Sequence, residues 1–162
     1  MDFTNEKVRR QDRLLDESSA RELLRTGEYG VLSLQREDAP GGYGVPLSYV
    51  WDGADHIFIH CAPAGRKLRC IDRCDRVSFV VVGRTNVIPE RFTTGYESVM
   101  ADCTATYDLS DDDRRQAMRL FVAKYCPAHT AMGNDYIEKS FHRTRVLRLT
   151  IHTLSAKQKN MF

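Results

Sequence analysis

Apolar and polar positions follow two periods along this chain, and each period predicts a different element. Asp16 to Thr26 reads as a helix with Leu23 and Leu24 turned inward, Ser19 and Glu22 placed as a capping box and Gly27 as the stop. From Gly30 onward the period shortens to two, as in strands with one buried face. Strands are expected over residues 30–35, 43–50, 57–60, 77–82, 97–107 and 145–152. In the second of these, Val45, Leu47 and Tyr49 share one face, while Pro46 and Ser48 take the other. Pro46 has no N–H to donate, so it marks an edge or a bulge. Val77 to Val82 is apolar almost throughout, which predicts a strand covered on both faces. In residues 97–107, Val99, Ala101, Cys103 and Ala105 alternate with Ser98, Met100, Asp102 and Thr104.

The connections are read as turns at residues 37–42 and at Asp52-Gly53, with Asp55-His56 in a loop and a further loop from Gly83 to Pro89. A helix is expected over residues 65–75, with Leu68 and Ile71 turned inward. Another, capped by Ser110, should run to Tyr125 with Ala117, Leu120, Phe121, Lys124 and Tyr125 at helical spacing, and Pro127 ends it. Tyr136 to Phe141 reads as a short helical turn. The fold class is therefore α+β, mainly β with flanking helices. Short antiparallel strands in sequence leave edges that a barrel removes. A six-stranded barrel is too narrow to hold a ligand, so a bound ring system would lie against an outer wall, and the simplest cover for it is a second copy across a two-fold axis.

The chain has 162 residues, which fits one domain (1–162) with an N-terminal arm over residues 1–15. A net charge of +2 argues for neither bulk nucleic-acid nor membrane binding, and the basic stretch from Lys7 to Leu14 reads as a solvated arm or a subunit contact. No apolar run approaches a membrane span, and Met1 to Lys7 has no apolar leader segment, so a cytoplasmic location is expected. The five cysteines are expected to be free thiols. Cys70 and Cys74 would share a helix face, but no second close ligand pair accompanies them. Small core residues describe the cysteines better than a metal site, and none is expected.

The chemistry concentrates between Phe58 and Ile71. A strand ending Ile59-His60-Cys61 runs through the small residues Ala62-Pro63-Ala64-Gly65 into a helix that opens with Arg66 and Lys67. Free backbone N–H groups, the helix dipole and two cations together suit a phosphate, and Gly65 leaves the backbone open to it. His60 closes the strand, where an imidazole could exchange a proton with a ligand or stabilise charge on it.

Five stretches in register carry a resemblance: Glu28–Ser33, Tyr43–Val50, Ile59-His60 with Gly65–Leu68, Val77–Gly83 and Phe92–Val99. Together they are similar to the pyridoxamine 5'-phosphate oxidase-like FMN-binding split-barrel family, within it to the nitroimidazole-resistance (Nim-like) branch. The resemblance implies a homodimeric six-stranded antiparallel split β-barrel that binds FMN, less often FAD, at the subunit interface. It implies that Arg66 and Lys67 hold the flavin phosphate and that the strand through Val45, Pro46, Leu47 and Ser48 lies along the flavin ring. Tyr96 and Ser98 would approach from the neighbouring subunit. His60 would stand close to the ring as the candidate catalytic group, and Cys61 brings a thiol where a small residue is expected. Gly95 replaces a cation found in many relatives. The C-terminal residues used in vitamin oxidation have no counterpart after Lys157, so that reaction is not expected. The implied activity is that of a flavin-dependent oxidoreductase, nitroimidazole- or nitroaromatic-reductase-like, acting on a small planar acceptor with NAD(P)H as candidate donor. The alternative is a non-catalytic flavin- or haem-binding or sensing protein of the same fold.

Overall fold

The computed structural model describes residues 1–162. Six long strands carry the fold: β2 (Tyr29–Gln35), β3 (Gly42–Ser48), β5 (His56–Cys61), β6 (Arg76–Ile88), β7 (Thr93–Thr106) and β8 (Arg145–Lys159). Two short ones, β1 (Asp2–Phe3) and β4 (Val50–Trp51), bring the sheet to eight strands, two more than expected from the sequence. The order is β3-β2-β6-β7-β8-β5-β4, antiparallel throughout, with β1 added in parallel to β8. The ladder is thus an open path, not a closed ring. Its two ends, β3 and β4, are successive pieces of one segment joined at Tyr49, so the expected single strand over residues 43–50 is split in two.

Tyr49 is the wedge at that junction. It is fully buried, its hydroxyl donates to the Leu24 carbonyl at 2.6 Å, and its ring meets Phe79 edge-on at 5.0 Å. One apolar cluster of 24 residues fills the space enclosed by the sheet. Leu32, Ile59, Phe79, Val99, Leu147 and Leu154 come from five strands. Leu24 and Leu68 come from α1 (Glu17–Thr26) and α2 (Arg66–Arg73). Asp16 caps α1 by accepting from the Ser19 N–H at 2.9 Å, in place of the expected Ser19/Glu22 box. Glu22 pairs with Arg25. A carboxylate at that position both satisfies an orphan N–H and complements the helix dipole.

Several expected boundaries move. Residues 83–88 belong to β6 and are not a loop, because β7 pairs with them as far as Ile88↔Thr93 after a bulge between Val82 and Thr85. Polar Arg84, Thr85 and Asn86 show no apolar alternation there, since this half of the hairpin projects into solvent. β8 runs on to Lys159 for the same reason, held by its ladder with β7. His56 begins β5 and is not in a loop, fixed by an Asp52 carboxylate 2.8 Å from its Nδ1. β6 is not covered on both faces: Val77, Phe79 and Val81 are buried, whereas Val82 is 52% exposed and its neighbour Met100 40%. Residues 1–15 are not a free arm. They lie along β8 through β1 and a bridge from Leu14 to Lys157. Of the five cysteines only Cys70 and Cys103 are core residues, Cys126 being exposed. No helix is long and apolar enough to cross a membrane.

Candidate functional site

Two helices are inserted between β7 and β8: α3 (Asp111–Tyr125), capped by Ser110, and α4 (Thr130–Ser140). α4 replaces the expected short turn at 136–141, whose last residue belongs to a 3-10 turn, Phe141–Arg143. Ala117, Met118, Ile137 and Val146 form a small second core that seats this pair against the outer wall of β5 and β8. The seat is incomplete. Between wall and helices lies a cavity of about 960 Å³, which reaches the end of β5 and the first turn of α2.

Ser48, His60, Cys61 and Lys67 line this cavity, so four of the site residues expected from the sequence are brought together. The His60 ring meets Phe121 edge-on at 4.8 Å, and Phe121 lies nearly parallel to Tyr125 at 6.0 Å. Phe121 and Tyr125 are one turn apart on α3, so their rings form a continuous aromatic wall. His60 is exposed toward the cavity, and partial desolvation by the protein around it pushes its imidazole below its ordinary range. The neutral form therefore dominates at neutral pH. Burial pushes the Cys61 thiol up, although Lys67 and Arg145 pull it the other way. Cys61 is thus a thiol and not a thiolate.

The remaining expected residues lie elsewhere. Arg66 turns away from the cavity: its Nε donates to Glu37 at 3.3 Å and its guanidinium stacks on Tyr43 at 4.5 Å. The Glu37 carboxyl is held down to about 2 by its own N–H, the Cys70 thiol and Arg66. Val45, Pro46 and Leu47 sit on edge strand β3, and Val45 and Leu47 pack on the core while Pro46 is exposed. Tyr96 and Ser98 lie along β7, paired with Lys159 and Lys157 of β8. Gly65 has φ +152, open space where a Cβ would be, and no side chain capping the helix it begins. The sequence reading missed the α3–α4 contribution, including Tyr125, His129, Tyr136 and Arg143. The one available signal in the sequence is the aromatic pair at i and i+4 on α3, whose helical spacing alone does not say what it faces.

A lysine anchors that wall. The Lys124 ammonium donates to the carbonyls of Gly27 at 2.6 Å and Tyr49 at 3.1 Å, and the Tyr125 hydroxyl meets the Tyr49 backbone beside it. Burial pushes Lys124 down to about 8. Between about pH 8 and its unfolded value of about 10.4, the unfolded lysine carries a proton that the folded one lacks, so the contribution of Lys124 to stability rises with pH across that window. Tyr49 and Tyr125 are both pushed up by burial and act against folding only above their ordinary value of about 10. The Cys61, Cys70 and Cys103 thiols, also pushed up by burial, act against folding above their ordinary value of about 8.5. The lysine is therefore read by difference: in urea unfolding across the window, the parent should gain stability relative to Lys124→Met as pH rises.

Six long antiparallel strands curled around one core, with helices on an outer wall, define a split β-barrel. The chain belongs to the pyridoxamine 5'-phosphate oxidase family, whose model matches residues 16–158. No curated protein matches the sequence. Among solved structures, the fold resembles an FAD and haem binding protein from Mycobacterium smegmatis, with TM-score 0.75 at 18% identity over 93% of this chain and 74% of that one. A candidate 5-nitroimidazole antibiotic resistance protein from Bacteroides thetaiotaomicron gives TM-score 0.72 at 13% identity, over 90% of this chain and 86% of that one. The flavocytochrome Anf3 from Azotobacter vinelandii gives 0.69 at 17% identity, over 90% and 68% respectively.

Proposed function

We propose that the protein is a flavin-dependent oxidoreductase that binds FMN, with FAD as the larger option, and passes electrons to a small planar acceptor such as a nitroaromatic. The observation that carries this reading is the composition of the cavity. An aromatic and aliphatic lining meets Lys67, which has no carboxylate within 4.0 Å, and no Asp or Glu borders the space. A flat, apolar ring with an anionic tail satisfies both halves of such a site. When bound, the flavin supplies two-electron redox chemistry that no side chain here provides. The chain's own contributions are binding and orientation. Lys67 and the free N–H groups after Gly65 hold the phosphate, and the Phe121–Tyr125 wall excludes water. The neutral His60 offers one ring N–H as a hydrogen-bond donor beside the ring. NAD(P)H is the candidate donor.

A homodimer completes the reading. The half-exposed apolar strip of Val80, Val82 and Met100 on the outer β6–β7 face is the kind of surface a second copy covers. Tyr96 and Ser98 on the same strand would then reach the partner's site. His60 also supports a second reading, because a neutral imidazole facing an apolar cavity can ligate haem iron. The absorbance of the purified protein decides between them. Flavin bands that bleach on addition of NAD(P)H are expected; a Soret band, or flavin that never reduces, overturns the enzyme reading.

A further inference from the structure

The cavity holds a second unpaired cation, on the stretch that leads from α4 into β8, two residues before the Arg145 that pairs with Cys61. Arg143 closes the 3-10 turn after α4, and no carboxylate lies within 4.0 Å of it. Its one side-chain partner is neutral: Nη2 donates to the Tyr136 hydroxyl at 3.3 Å. Because that oxygen accepts from Arg143, its own hydrogen is free to donate onward. The acids on α4 do not neutralise this corner. Glu138 is taken by Arg115 at 3.2 Å, and neither it nor Asp135 borders the cavity.

We propose that Arg143 and Tyr136 form an anion subsite, and that the ligand taken beside the aromatic wall is an acidic aromatic, a ring bearing a carboxylate. The guanidinium offers N–H groups in a planar fork that matches a carboxylate, and the freed Tyr136 O–H adds a further donor. Phe121 and Tyr125 give the ring a face to stack on. A cavity of about 960 Å³ stands at the upper end of the range for a single small ligand. The subsite rests on the flavin reading only in naming its ligand an acceptor.

Calorimetric titration of the protein as purified with para-nitrobenzoate and its neutral isostere para-nitrobenzamide tests this without any turnover. The acid should bind about tenfold more tightly, the amount a charge-assisted contact contributes at a partly open site. Arg143→Gln should remove that preference while leaving the amide's affinity unchanged, and Arg143→Lys should recover part of it. Flavin absorbance should be the same in all three proteins. Equal affinities in the parent protein, no binding of the acid, or a preference that survives Arg143→Gln overturns the subsite. Should Arg143→Gln fail to fold, Tyr136→Phe decides: an undiminished preference for the acid refutes the subsite, and a several-fold loss supports it. A colourless protein that still prefers the acid sinks the flavin reading and keeps the subsite; a yellow protein with no preference does the reverse.

Discussion

Replacing both Arg66 and Lys67 with alanine strips the flavin from the purified protein and leaves the barrel folded. Hydrogen bonds to charged groups contribute roughly 1.5–3 kcal/mol each, so losing the pair weakens cofactor binding by a factor on the order of a thousand. The structure divides the loss unequally. Lys67 borders the cavity, whereas Arg66 is engaged by Glu37 and stacked on Tyr43, so a phosphate must compete with Glu37 for it. Lys67→Ala alone should therefore cost more flavin than Arg66→Ala alone. Folding tolerates both changes, because the Arg66–Glu37 pair is partly exposed and Arg69 remains on Glu37 at 3.2 Å. Absorbance gives the flavin content and circular dichroism the fold. A full complement of flavin in the double variant refutes the phosphate assignment.

Gly30→Ala has the largest expected effect on stability. A Cβ built at Gly30 falls 2.4 Å from the Phe79 ring and 2.8 Å from the Val80 carbonyl. Neither neighbour can yield cheaply. Phe79 is buried against Tyr49, the wedge between β3 and β4, and the Val80 carbonyl belongs to the ladder of a central strand. Overpacking of this kind costs about 1–3 kcal/mol, and the upper end applies where backbone must move. For a chain of this length that lowers the melting temperature by roughly 3–10 °C. A thermal scan of the variant checks it, and a melting point within about a degree of the parent's would show that β2 and β6 can part without cost.

What the sequence disclosed depended on how strictly each element needs a buried face. α1 and the alternation from Val99 to Ala105 were legible because their inward positions are buried as the period requires. Residues 83–88 were not, because a projecting ladder is held by backbone hydrogen bonds and its side chains carry no signal. α4 was also opaque. Gly133, Asn134 and Asp135 are poor helix formers, and the helix exists because Ile137 and Ser140 pack inward. The same contrast governs the site. His60, Cys61 and Lys67 were legible because they share a contiguous strand-turn-helix pattern, and Ser48, on β3, through the family resemblance alone. Phe121, Tyr125, Tyr136 and Arg143 were missed because their common neighbourhood is created by tertiary docking, and on α3 an aromatic facing a cavity has the same spacing as one facing a core.

The helical pair enters the chain as one continuous excursion, residues 107–144, between two strands that pair with each other on its near side at Thr106↔Arg148. The β7–β8 ladder is thus closed without the excursion, whose ties to the sheet are few: Lys124 and Tyr125 on Gly27 and Tyr49, and the small core around Val146. The helical half of the cavity can be rewritten by insertion, deletion or exchange while the β7–β8 register stays as it was, provided these ties are kept. Ligand preference can drift quickly on such a scaffold, with the anchoring half inherited unchanged.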